Sequence, residues 1–242
     1  MQRYFIDLIF DGSNYHGWQI QPHCLSVQEV LQQTLSTLLG DTVTVTGAGR
    51  TDTGVHARKM VAHFDWTGEI DTAQLAYRMN RLLPHDIAVR EVKAVDDSMH
   101  ARFSAVSRTY HYYLHQQKQP FRRYYSWEVH YDLDFDAMNV AASRLLKVED
   151  FGAFCKAGGD AKTTLCKLTE ARWEKDGECW CFVITANRFL RNMVRAVVGT
   201  LIEVGRHRMT LDEFDQVVVS GNRSAAGESV PAHGLFLWDV EY

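Results

Sequence analysis

The chain has 242 residues, enough for one large domain or two small ones packed together. Its apolar share of 46% is ordinary for a globular protein, and no stretch has the composition of disorder. The formal charge of -4 taken alone argues mildly against a nucleic-acid partner, although the distribution of charge matters more than its sum. The N-terminus leads directly into alternating residues, so no signal peptide is expected, and no run of about 18 apolar residues could span a membrane. The five cysteines (Cys24, Cys155, Cys166, Cys179 and Cys181) are odd in number and scattered, which fits a reducing cytoplasm. Cys179-Trp-Cys181 has no second pair at ligand spacing, so no metal is expected.

In chain order, residues 3–11 alternate and are rich in β-formers, which predicts a strand. Ser26-Val-Gln-Glu29 is a capping-box pattern. Val27, Val30, Leu31, Leu35, Leu38 and Leu39 follow at helical spacing, and Gly40 supplies the stop. Thr42–Thr46 reads as a short strand, then a turn spans 47–54 and a strand lies near 57–66. Asp71 or Thr72 caps a second helix with Leu75, Met79, Leu82 and Leu83 on one face, ended by Pro84. Ile87 to Val95 alternates again. Arg108 to His115 is strand-like and aromatic, and Asp134 to Lys147 is an amphipathic helix. Residues 167–175 and 179–186 pair around the hairpin turn Asp176-Gly177. An apolar helix runs from Arg191 to Val204, a short one covers 210–219, and Leu235 to Tyr242 is a final strand. This order predicts an α/β fold of two similar halves, residues 1–104 and 105–242, sharing one core or one continuous sheet.

Three segments could carry chemistry. The first is Gly47-Ala-Gly-Arg50-Thr-Asp52-Thr-Gly54-Val-His56-Ala-Arg58. Its glycines suit a tight exposed turn that projects Asp52, and Arg50 and Arg58 flank it. A carboxylate kept ionised near arginine is what a carboxylate nucleophile requires, though a turn aspartate bonded to its own backbone is the plainer alternative. Asp52-Thr-Gly54 also resembles the aspartic-protease signature. It occurs once, however, and a neighbouring arginine would spoil a shared proton. In the second segment, Arg108, Tyr110 and Tyr112 share one strand face, able to stack an unpaired base and grip phosphate, or simply half buried. In the third, Arg188, Arg191 and Arg195 recur at helical spacing. Arg195 sits among apolar residues, where it either pairs with a carboxylate such as Asp52 or faces solvent.

Together these segments resemble the TruA family of tRNA pseudouridine synthases along nearly the whole chain. Phe10-Asp-Gly-Ser-Asn-Tyr-His-Gly-Trp-Gln-Ile-Gln21 looks like the family's N-terminal signature, and Gly47–Ala57 with Val61–Asp65 like its nucleophile motif. Asn80–Pro84, Asp86-Ile87, His100–Phe103, Arg108-Thr-Tyr110, Asp150-Phe151, Phe189-Leu190, Met193-Val-Arg195 and Ala232–Leu235 follow in the family's order. The resemblance implies the pseudouridine synthase fold: two α/β halves related by pseudo-two-fold symmetry, with a central extended sheet flanked by helices. It implies Asp52 as nucleophile, Tyr110 stacked on the target uracil and aiding proton removal, and Arg195 paired with Asp52. Arg50 and Arg58 would lie at the RNA-facing mouth and Leu235 near the base pocket. It further implies a homodimer in the cytoplasm that needs no cofactor and converts uridine to pseudouridine at positions 38, 39 and 40 of the tRNA anticodon arm. Thr53, Met99 and Arg188 depart from the common pattern. An RNA-binding module without catalysis would use the same basic and aromatic strands but would not need the glycine-framed Asp52.

Overall fold

A computed structural model describes residues 1–156 and 162–242. The chain forms two compact units, one of Met1–Val106 with Phe236–Tyr242 and the other of Ser107–Leu235. Each is α/β, a sheet with helices. The final strand thus belongs largely with the first unit, whereas the sequence reading carries the second half to residue 242.

In the first unit the sheet order is β4 (Ile87–Val95), β1 (Gln2–Phe10), β3 (His56–Trp66), β9 (Leu235–Glu241). The short β2 (Thr46–Gly47) also pairs with β3. β1 runs antiparallel to β3 and β4, and β9 lies parallel to β3 through His56–Phe236 and Ala57–Leu237. Alternation along β1 buries Tyr4, Ile6, Leu8 and Phe10 on one face. Helix α1 (Val27–Leu39) begins where Ser26 Oγ accepts the Glu29 N–H and ends at Gly40 in the left-handed conformation, φ 75°. Helix α2 (Thr72–Leu82) is capped by Asp71, which accepts from Gln74 N. Leu75 and Met79 point inward, but Leu82 is exposed and Leu83, just beyond the helix, takes the buried place.

The strand expected at Thr42–Thr46 is reduced to β2, because its backbone is already satisfied by side chains of α1. Val43 N–H donates to Ser36 Oγ (2.9 Å) and Val45 N–H to Gln32 Oε1 (2.9 Å), while Gln28 Nε2 donates to the Val45 carbonyl (2.8 Å). The β-branched pattern is genuine, but α1 takes the place of a strand partner.

The second unit orders β5 (Ser107–His115), β8 (Cys179–Ala186), β7 (Leu168–Asp176), all antiparallel, with β6 (Trp127–Glu128) parallel to β5. Gly177 turns the β7–β8 hairpin at φ 58°. Helix α3 (Phe135–Arg144) is capped by Asp134 and continues as a 3-10 turn over Leu145–Lys147. Helix α4 (Met193–Gly205) is almost wholly buried, and α5 (Leu211–Ser220) starts from a complete capping box between Thr210 and Glu213. Among the described residues, no helix is long and apolar enough to cross a membrane.

The two units share a device. In the first, Asn80 of α2 bonds both backbone groups of Val89 on β4, accepting its N–H and donating to its carbonyl, each at 2.7 Å. In the second, Asn139 of α3 does the same to Trp173 on β7, at 2.7 and 3.1 Å. Each contact lies on the outermost strand of its unit. Replacing Asn80 or Asn139 with alanine strands a donor and an acceptor. Each variant should lose about 2–4 kcal/mol, read as a lower urea midpoint; an unchanged midpoint would show that water replaces the carboxamide without cost.

One buried and one half-buried histidine set an acid limit on stability. His63 accepts the Ala101 N–H at Nδ1 (3.2 Å), and burial pulls its pKa down to about 4. Burial brings His111 of β5 down to about 4 as well. The unfolded chain binds protons at these sites below about pH 6.5. The folded chain does not until about pH 4, so stability present above pH 6.5 falls as pH drops through that window. Urea midpoints at pH 7.5 and 5 should differ, and the difference should shrink in the His63→Gln, His111→Gln double variant.

Candidate active site

The Asp52 loop leaves β2 and returns in β3. Ala48 N–H bonds the Val61 carbonyl (2.8 Å), continuing the β2–β3 pairing by one residue. The chain then turns over residues 52–55, closed by Val55 N–H to the Asp52 carbonyl (3.1 Å). Gly54 occupies the third position of this turn at φ 77°, a conformation that other residues adopt only with strain. Val55 and His56 are buried immediately afterwards, whereas Asp52 is half-buried, and Arg50 and Arg58 are exposed. The Arg58 guanidinium lies over the Trp238 ring of β9, 5.7 Å from its centre.

What holds this turn is the segment between β1 and α1. Trp18 N–H reaches the Thr51 carbonyl (3.4 Å), and Gly54 N–H reaches the Tyr15 carbonyl (3.4 Å). A Cβ on Gly17 would stand 2.2 Å from the Thr51 carbonyl oxygen, and one on Gly12 2.0 Å from that of Val55. One on Gly47 would enter the Trp18 indole at 2.5 Å. Gly47 therefore serves close packing rather than flexibility, and open space surrounds the Cβ position of Gly49. The bracing segment is itself tied down by Asp86. Its carboxylate accepts from Tyr15 Oη (2.5 Å) and Asn14 Nδ2 (3.1 Å), and its carbonyl accepts Asp11 N–H (2.9 Å). Burial, and the bond to Asp86, raise the Tyr15 phenol well above its ordinary pKa, so the hydroxyl stays a donor.

In the second unit Tyr110 stands on β5 opposite Ile184, its ring edge-on to Phe189 with centres 5.0 Å apart. Arg108 donates to the Asn187 carbonyl (2.8 Å). Tyr112, on the same face as Arg108 and Tyr110, is fully buried, and its hydroxyl donates to the Pro231 carbonyl (3.0 Å). It is a core residue, not part of a stacking face.

The arginine row is not one helical face. Asn192 adopts φ 63° at the cap of α4, so Arg188 and Arg191 precede the helix and only Arg195 lies on it. Arg195 is half-buried on the first turn. Its Nε donates to the Val230 carbonyl (2.7 Å), while Val230 N–H returns to the Arg195 carbonyl (3.3 Å). This fixes the plane of the guanidinium. The segment carrying Val230 presses onto α4 at Gly199, where a Cβ would lie 1.8 Å from the Glu228 carbonyl oxygen. Leu235 is buried at the start of β9.

A family model described as tRNA pseudouridine synthase matches residues 8–104 and 141–242. The chain belongs to the tRNA pseudouridine synthase family. A tRNA pseudouridine synthase A of Bacteroides fragilis is 51% identical across all of this chain and 97% of its own length. One from Bacteroides thetaiotaomicron is 53% identical across all of this chain and 91% of its own, and one from Porphyromonas gingivalis is 47% identical across 100% and 98%. A whole-chain match of this kind leaves the protease reading without support.

Within the family's motifs, the sequence reading gave no physical role to Gly12, Tyr15, Gly17, Trp18 or Asp86, which together form the brace of the Asp52 turn. Their signals were the run Phe10–Gln21, too rich in glycine and aromatic residues for a simple connector, and, for Asp86, its place in the motif Asp86-Ile87. The link between Arg195 and Val230 had no sequence signal, since nothing periodic relates residues 35 apart. In Asp86→Ala the brace loses its anchor. Amide exchange in a peptide spanning residues 48–56 should speed by about tenfold or more, because two bonds to a carboxylate are removed. Exchange at the wild-type rate would show that the brace does not depend on Asp86.

Proposed function

We propose that this protein isomerises uridine to pseudouridine at positions 38, 39 and 40 in the anticodon stem-loop of tRNA, with Asp52 as the nucleophile. The observation that carries this reading is the Asp52 turn: a carboxylate on a braced, glycine-framed turn, with Arg50 and Arg58 exposed on either side of it in sequence, in a chain that matches proteins named tRNA pseudouridine synthase A along at least 91% of their length.

A base inside a duplex is out of reach, so the target nucleotide must leave the stack, at a cost of a few kcal/mol. Stacking on Tyr110 and the cationic side chains Arg50 and Arg58 offset that cost. The Asp52 carboxylate then adds to the substrate and the bond between N1 and C1′ of the ribose breaks. The uracil turns, C5 bonds to C1′, and Asp52 departs unchanged. C5 loses a proton and N1 gains one, so substrate and product are isomers and no electron or group donor enters. Tyr110, against the base, assists the removal of the C5 proton, and Arg195 pairs with Asp52 to keep it ionised and aimed. Leu235 lines the base pocket. The protein acts as a homodimer, and with tRNA as substrate it works in the cytoplasm.

Asp52→Asn should abolish pseudouridine formation, by at least about a thousandfold, while folding and tRNA binding persist; undiminished modification, mapped in an unmodified tRNA transcript without added cofactor, would remove Asp52 from this role. Tyr110→Phe should keep the stacking ring but slow single-turnover conversion, and an unchanged rate would count against its part in proton transfer.

A further inference from the structure

We propose that the turn segment 116–126, which follows β5 in the second unit, is a separate RNA-contact loop that stacks one unpaired base and grips phosphates of the tRNA away from the reacting uridine. This rests on the isomerase reading above for the identity of the RNA. Phe121 is 93% exposed at the tip of the segment, with Tyr124 at 53% and Tyr125 at 43% beside it. Lys118, Arg122 and Arg123 lie among them, and residues 116–126 contain no acid, in a chain of net charge -4.

The segment is built to hold these rings outward. Arg122 N–H bonds the Gln119 carbonyl (3.0 Å) and Tyr125 N–H the Arg122 carbonyl (2.8 Å), making consecutive turns. Arg123 donates to the Pro120 carbonyl (3.2 Å), and its guanidinium lies over the Tyr124 ring, 4.6 Å from the centre. At the base, Ser126 Oγ bonds His115 Nδ1 (2.9 Å), both buried. An acid, Glu178, is engaged at the foot of the loop by Gln119 Nε2 (2.7 Å). A large apolar ring presented on a hydrogen-bonded turn needs a partner with a flat apolar face. Three cations around it with no acid in the segment, in a chain that is acidic overall, favour a polyanion. Unpaired bases on a phosphate backbone meet both requirements. Along β5, six residues separate Tyr110 from Gln116, about 20 Å at strand rise, so the loop meets a part of the RNA that is not the target base.

The test is binding of an unmodified full-length tRNA transcript across a salt series, with steady-state turnover and sedimentation measured on the same proteins. Phe121→Ala should weaken binding about tenfold, with the loss in KM rather than kcat, and Phe121→Trp should restore it. Arg122→Gln with Arg123→Gln should reduce the slope of log affinity against log salt by about 1.5–2. Because Phe121 is exposed, its replacement leaves the fold intact, which a thermal melt checks. Affinity and salt slope within twofold of wild type in both variants would overturn the proposal. A change in sedimenting mass with unaltered tRNA affinity would overturn it too, assigning the loop to a second copy of the chain. Wild type and Asp52→Asn run in parallel separate the two readings. Wild type that binds tRNA but forms no pseudouridine defeats the isomerase assignment, while the loop is still decided by binding. Wild type that binds no tRNA defeats both.

Discussion

At Gly17 the backbone of the segment after β1 lies so close to the Thr51 carbonyl that a methyl group cannot be inserted between them. Gly12 and Gly47 meet Val55 and Trp18 at comparable range. These contacts leave the turn at Asp52 one place to sit. A loop defined only by its own glycines would sample many conformations, and a nucleophile on it would spend most of its time misplaced. Here the neighbouring segment removes that freedom by contact, and Asp86 anchors the neighbour through Tyr15 and Asn14. The rigidity of Asp52 is thus a property of three separated stretches of sequence.

The second unit solves a matching problem differently. Arg195 emerges from a buried helix, and a long side chain there would otherwise choose among rotamers. The reciprocal bonds with Val230 hold its guanidinium, and the close fit of Glu228 against Gly199 holds Val230. One unit thus immobilises a short side chain by bracing its backbone, and the other a long side chain by seizing its tip.

Much of the fold was legible because its signals are local. Ser26, Asp71, Asp134 and Thr210 cap the helices that follow them, each through a side-chain oxygen and a nearby N–H. Alternation marked β1, β4 and β5, and Asp176-Gly177 marked a hairpin. The failures have physical causes outside the window of any local pattern. Thr42–Val45 has strand composition, but α1 supplies its hydrogen bonds. Arg188 and Arg191 have helical spacing to Arg195, but Asn192 in a left-handed conformation starts the helix after them. Asp52 was legible through its glycine frame and the order of motifs. Its brace was visible as family motifs without a mechanism, because contacts such as Gly17 to Thr51 join residues that sequence spacing does not relate.

The paired asparagines on α2 and α3 bear on how such a molecule stays dispersed. An outermost strand offers its unused amides and carbonyls as a template on which another chain can extend the sheet, a route to aggregation. Asn80 and Asn139 each present a carboxamide that copies a peptide group and fills one residue's worth of that template, at Val89 and at Trp173. An incoming segment would have to displace a tethered competitor before it could zip along the edge. A helix side chain thereby does, at a single residue, the work that a covering loop or a row of charges does elsewhere.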